Sequence, residues 1–225
     1  MKTIAILGQK GGTGKTTIAL ALAVRATQSG KSVAVLDLDP QGSARKWAKR
    51  RTSDTPAVAR RDPYELSETL DALTKGGAEL VIIDTPGKIE AAATAATKCA
   101  DLALIPVRAT VLDLDALDDF NDLLRVAGDP PAYVVLNAVP PQGRAHESAR
   151  EVIEKKHRLK VCPVTLGQRN AYAAAMINGQ TASEYEPNGK AAQEIEALYS
   201  LIISISHNLK IKDRTYGKAK LNQTA

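Results

Sequence analysis

The sequence predicts an α/β fold: a doubly wound, mostly parallel sheet flanked by helices. Three observations lead there. Thr3 to Leu7, Ser32 to Leu36, Leu80 to Asp84, Leu102 to Val107 and Ala132 to Asn137 are short apolar runs, of the kind that form strands buried on both faces. Helix-forming stretches separate them, and this alternation produces right-handed βαβ crossovers. A glycine-rich loop, Gly8 to Gly14, joins the first strand to the first helix. At 225 residues the chain suits one domain of this class, with enough length to bury a substantial core.

The elements follow in order. The helix after the loop runs from Thr16 to Gln28, rich in Ala and Leu, and stops at Ser29-Gly30, a helix C-terminal signal. Asp62-Pro63 opens a second helix with an acid at the N-cap and a proline at the first helical position, extending to about Lys75. Residues 113 to 127 form a further helix, ended by Gly128 and Pro130-Pro131. Residues 147 to 157 form another, and Lys190 to His207 the last strong one. No repeat and no domain boundary is visible. Residues 1–208 read as a single domain, and the polar, basic segment 209–225 as a frayed tail.

The loop carries the chemistry. In Gln9-Lys10-Gly11-Gly12-Thr13-Gly14-Lys15-Thr16-Thr17, successive backbone N–H groups and the following helix N-terminus form an anion-binding nest. Lys15 reaches β- and γ-phosphates, and the Thr16 hydroxyl can bind Mg²⁺. Glycines at 11, 12 and 14 let the backbone approach phosphate oxygens with no Cβ in the way. The strict pattern asks for glycine at position 9, where Gln9 stands; Gly8 is one residue out of register. Lys10 sits where a simple phosphate-binding loop needs no charge.

The segment Lys-Gly-Gly-Thr-Gly-Lys-Thr-Thr resembles the deviant Walker A box of the ParA/MinD ATPases, most closely the short ParA-type partition proteins. That family tolerates a non-glycine residue at the Gln9 position. The resemblance implies a P-loop domain that takes ATP and Mg²⁺ and closes into a nucleotide-sandwich homodimer. In that dimer Lys10 crosses the interface to the phosphates held by the other subunit. The second match, Asp37-Leu38-Asp39-Pro40-Gln41-Gly42, resembles the family's switch I segment. Two acids at a parallel strand's carboxyl end lie where ligands bind in such sheets, and the resemblance gives Asp39 the attacking water and Asp37 a place near the metal. Leu80-Val-Ile-Ile-Asp84 has the Walker B pattern, in which the carboxylate supports the Mg²⁺ shell. Gly87 replaces the second proline of many relatives. Asn137 stands where relatives hydrogen-bond adenine; a helix-capping Asn is the plain alternative. Arg108-Ala109-Thr110 departs from the family's usual Pro-Ser pairing.

Composition narrows the function. Hydrophobic residues make up 44% and charged residues 24%, as in ordinary globular domains. Cys99 and Cys162 lie far apart, without metal-ligand spacing, and read as free thiols in a reducing cytoplasm. Met1-Lys2 leads directly into the first strand, leaving no room for a signal peptide. The net charge is +5, and the excess is clustered at Arg45 to Arg51, at Arg144 to Lys160, and in the tail at Lys210, Lys212, Arg214, Lys218 and Lys220. Such clusters suit duplex phosphates; solvated helix faces are the bland alternative. The resemblance favours non-specific DNA binding by the ATP-loaded dimer, with Arg169 a further candidate for phosphate contact. It also implies a centromere-binding, ParB-like partner that stimulates slow hydrolysis, and a cytoplasmic, nucleoid-associated location. Two other classes are disfavoured. Leu198 to His207 lacks the lysine-bearing polar face of a membrane-surface helix, so MinD-like membrane binding is not expected. Tyr216 alone is not the tyrosine-rich tail of a bacterial tyrosine kinase.

Overall fold

The computed structural model describes residues 1–88 and 91–208. Six parallel strands form one sheet: β1 (Lys2–Ile6), β2 (Val33–Asp37), β3 (Ala57–Arg60), β4 (Leu80–Asp84), β5 (Leu102–Val107) and β6 (Ala132–Leu136). Their order is β3-β2-β4-β1-β5-β6, so the chain winds to one side of β1 and later to the other. The doubly wound expectation holds.

Side-chain alternation builds two cores from the same strands. Ala5, Leu7, Val81, Ile83, Ala103 and Ile105 face one layer. Ile4, Ile6, Leu80, Ile82, Leu102 and Leu104 face the other. The first layer is covered by α3 (Leu66–Lys75), α4 (Ala91–Cys99), α6 (Phe120–Val126) and α7 (Ala145–Lys155). The second is covered by α1 (Lys15–Gln28), α2 (Ser43–Arg50) and α10 (Lys190–Asn208). Leu198, Tyr199 and Ile202 of α10 are buried in that core, which makes it a packing helix as expected.

Asp62 caps the helical segment before α3 in a capping box with Glu65, on a 3-10 turn at Pro63–Glu65, as the Asp-Pro signal indicated. Three departures have physical causes. Strand β3 has no continuous apolar run because it lies at the sheet edge, with Ala57 and Arg60 exposed. The single helix expected over 113 to 127 is two, α5 (Val111–Asp115) and α6. A break there lets Asp113 turn inward to Arg108 while Leu117 and Phe120 both reach the core. Between α7 and α10, α8 (Asn170–Ile177) and α9 (Ala182–Tyr185) give no strong periodic signal. Both cysteines are buried, and no disulfide joins them. Among the described residues no helix is long and apolar enough to cross a membrane. The basic tail from Leu209 and the pair Ile89-Glu90 lie outside the described residues.

Candidate functional site

Three adjacent strands bring the candidate residues to one edge of the sheet. Asp84, the last residue of β4, is in register with Ile6 of β1 on one side and with Asp37 of β2 on the other. The loop leaving β1 folds over these strand ends. Gly12 (φ 76°) and Gly14 (φ 93°) take the left-handed backbone the turn needs. Gly14 also begins α1, where no side chain caps the helix and no acid occupies the first turn. Its orphan N–H groups and positive dipole end are therefore available to an anion. In front lies a cleft of about 810 Å³, lined by Gly11, Lys15, Thr16, Thr17, Asp39 and Gly87 among others.

Lys15 is 7% exposed and donates from Nζ to the Lys10 carbonyl at 2.8 Å. Burial lowers its pKa, opposed by Asp84 and Asp39. Gly8, out of register in the motif, makes room for this side chain: a Cβ there would lie 2.9 Å from Lys15 Cδ. Thr13 is buried, its hydroxyl directed to the same Lys10 carbonyl.

The three acids differ in what holds them. Asp37 is fully buried; Oδ1 accepts from Asp39 N at 3.0 Å and Oδ2 from Arg45 N at 3.1 Å. Its carboxylate thus organises the turn and the start of α2, in register with Asp84 on the neighbouring strand. Asp39 lines the cleft, with Oδ1 accepting from Gln41 N at 2.9 Å. Asp84 is fully buried, with the Thr16 hydroxyl beside its carboxylate and no other hydrogen-bond donor in reach. Burial pushes its pKa up to about 7; the Thr16 hydroxyl and Lys15 act the other way, while Asp37 and Asp39 add to the rise. A buried carboxylate so sparsely partnered is costly unless a cation completes it. Asp84, with Thr16 beside it, therefore fits Mg²⁺, which takes few protein oxygens and keeps several waters. Among the described residues no cluster of three His, Cys, Asp or Glu marks a more fully caged metal.

Asn137 ends up against the loop. Its amide donates to the Thr13 carbonyl at 2.8 Å and lies so close to Gly14 that a Cβ there would fall 2.2 Å away. It caps no helix; the next one, α7, starts from Arg144. Lys10 folds onto its own chain, donating to the Leu112 carbonyl with Asp113 Oδ1 at 3.9 Å. Arg169, a candidate phosphate contact from the sequence, is instead paired with Glu194 at 2.7 Å and packed over Gly167.

Gly87, which departs from the proline of many relatives, has a place the sequence did not indicate: a Cβ there would sit 3.0 Å from Gly11 N, so the turn after Walker B packs directly on the phosphate loop. Sequence reasoning missed Arg60 and Met176 as cleft residues. Arg60 ends the unrecognised strand β3, and nothing local marks Met176.

The description CobQ/CobB/MinD/ParA nucleotide binding domain matches residues 4–182. Maintenance of carboxysome distribution protein A of Gloeobacter kilaueensis is 33% identical over 202 residues, covering 88% of this chain and 90% of that protein. Protein ParA of Rhizobium radiobacter is 29% identical over 222 residues, covering 93% of this chain and 98% of that one. The septum site-determining protein MinD of Pyrococcus horikoshii, solved with Mg-ADP, shares the fold with a TM-score of 0.72 at 20% identity, over 93% of this chain and 99% of that one. The phosphate loop, the lone Asp84 carboxylate and the sheet order agree with the matched residues: the chain belongs to the CobQ/CobB/MinD/ParA family of nucleotide-binding domains.

Proposed function

We propose that this protein is an ATP-dependent segregation switch. It closes into a nucleotide-sandwich homodimer, holds DNA non-specifically in that form, and lets go on hydrolysis. The observation that carries this reading is the convergence of Lys15, Thr16 and Asp39 on one cleft at an uncapped helix N-terminus, with the buried Asp84 carboxylate beside Thr16 and Lys15. Residues 11 to 17 hold the triphosphate through backbone N–H groups and Lys15. Thr16 and Asp84 hold Mg²⁺, which when bound neutralises charge on the β- and γ-phosphates. Asp39, at the mouth of the cleft, orients water for in-line attack. Lys10 leaves its own chain to reach the phosphates of the second subunit. Asn137 tethers Thr13, and its amide suits the adenine edge. Positioning and electrostatics carry phosphoryl transfer, so hydrolysis is slow until a partner protein stimulates it.

The cargo is a DNA element, a low-copy plasmid, carried through a centromere-binding ParB-like partner. A second reading gives the same cycle a protein cargo. The 33% identical relative, named for carboxysome distribution, favours it.

The test is binding to an arbitrary duplex with ATP, with ADP and without nucleotide. Salt-sensitive binding under ATP alone, prolonged in Asp39→Ala, supports the cycle. Binding that is equal in all three conditions contradicts it. A neighbouring gene for a small DNA-binding protein would separate plasmid from protein cargo.

A further inference from the structure

We propose that the outward face of α2, together with Arg60, is the surface on which the ATP-loaded protein seats the phosphate backbone of duplex DNA. This rests on the DNA-binding reading above and names the contact surface that reading leaves open.

Pairing sorts the cations. In the second basic region Arg144 pairs with Glu147, Lys155 with Glu151 and Lys156 with Asp115. Arg150 donates to the Cys162 carbonyl. Arg158 and Lys160 remain. In the first region Arg51 drops out: it is 8% exposed, forks onto both oxygens of Glu184 at 2.9 and 2.7 Å, and stacks over Trp47. Arg45, Lys46, Lys49 and Arg50 stay exposed, and no side-chain hydrogen bond or ion pair engages them among the described residues.

The arrangement is one-sided. Ala44 and Trp47 bury the inner face of α2, and the Trp47 indole donates to the Gln180 carbonyl at 3.0 Å. Arg45 with Lys49, and Lys46 with Arg50, stand four residues apart on the outer side. Like charges so spaced weaken an isolated helix. A merely solvated face would interleave acids among them, and α2 contains none. Arg60, from the end of β3, extends the patch. Between it and the helix lies a recess of about 340 Å³ lined by Gln41, Arg45, Lys46, Lys49 and Arg60 among others. A concave surface of unpaired cations suits phosphates and offers nothing that reads bases.

The patch is also tied to the nucleotide site. Gln41 and Arg60 line both the recess and the nucleotide cleft. The Asp37 carboxylate accepts Asp39 N from the cleft-lining turn and Arg45 N from the first turn of α2. A rearrangement of that turn therefore carries the cations with it.

The experiment compares the full chain with Lys46→Glu/Lys49→Glu and with Arg158→Glu/Lys160→Glu, binding a labelled arbitrary duplex under ATP across a salt series. Thermal melting, ATP-driven dimerisation and DNA-free ATP turnover are measured alongside. For Lys46→Glu/Lys49→Glu we expect at least about a ten-fold loss of DNA affinity and a log–log salt slope shallower by about 1 for each phosphate contact removed. Melting, dimerisation and turnover stay at wild-type values, and the Arg158/Lys160 variant binds DNA as wild type. Unchanged affinity and slope in Lys46→Glu/Lys49→Glu overturn the proposal while leaving the DNA-binding reading intact. Loss confined to the Arg158/Lys160 variant does the same. Failure of the wild type to bind duplex under ATP overturns both. So does ATP-dependent binding to phosphatidylglycerol–phosphatidylethanolamine vesicles in place of DNA.

Discussion

Lys10 lies with its ammonium 3.9 Å from Asp113 Oδ1, donating to the neighbouring Leu112 carbonyl, so the lysine assigned to the second subunit is held by its own. Asp113 is almost fully buried. Burial acts to raise its pKa, but Arg108 and Lys10 outweigh it and hold the carboxyl below its usual range. Closure of the proposed homodimer has to break this contact in each subunit. A pair with one partner 38% exposed is worth at most about 1 kcal/mol. Two such contacts break per dimer, so Asp113→Asn lowers the protein concentration needed for the ATP-bound dimer by no more than about thirty-fold. Sedimentation velocity over a concentration series at saturating ATP checks this; an unchanged or weakened dimer would show that the contact does not compete with closure.

Asp84 makes stability depend on pH. Its folded pKa of about 7 lies above the ordinary 3.8, so the folded chain binds the proton more tightly than the unfolded chain. The contribution is full below about pH 4 and is lost as pH rises through about 7. Asp84→Asn removes the buried charge while keeping the shape, and stabilises the metal-free chain at pH 8 by roughly 1–3 kcal/mol. At pH 4 the two proteins melt alike. The same variant loses Mg²⁺-dependent nucleotide binding. Thermal melts at both pH values, with and without Mg-ATP, test each half.

Gly14 and Asn137 form one unit. A Cβ at position 14 meets the Asn137 amide at 2.2 Å and must also adopt φ 93°. Gly14→Ala destabilises by more than about 1 kcal/mol and disorganises the loop. Adding Asn137→Ala removes the clash and leaves the backbone strain, so the double variant regains part of the loss. Urea midpoints for the four proteins form the cycle. Strict additivity would mean that the two residues do not touch.

Arg51 ties α2 to the chain beyond α8. Besides Glu184 and Trp47, it reaches the Gly179 carbonyl at 3.0 Å. Arg51→Ala leaves the part-buried Glu184 held by Thr181 alone, costing roughly 1–3 kcal/mol. A loss of unfolding free energy below about 0.5 kcal/mol in urea titrations would argue that water replaces the guanidinium.

Much of this was legible in the sequence for a physical reason. Strands β1, β2, β4 and β5 are buried on both faces, so each is a continuous apolar run. The phosphate loop demands glycines and a lysine at fixed spacing. What stayed hidden depends on partners distant in the chain. Strand β3 is an edge and needs no apolar run. Arg51 reads as one more cation in a basic stretch until Glu184, 133 residues on, claims it. Asp37 and Asp84 look alike at two strand ends, and only the fold gives one its backbone donors and leaves the other just the Thr16 hydroxyl. Arg169 looked exposed to phosphate until Glu194 took it.

The most direct test of the central claim is the mass of Asp39→Ala in solution with and without ATP, compared with Lys10→Ala/Asp39→Ala. The account predicts a monomer without nucleotide, a stable dimer of Asp39→Ala once ATP is added, and a monomer in both conditions for the double variant. An ATP-bound dimer that forms equally well without Lys10, or no change in mass on adding ATP, would contradict it.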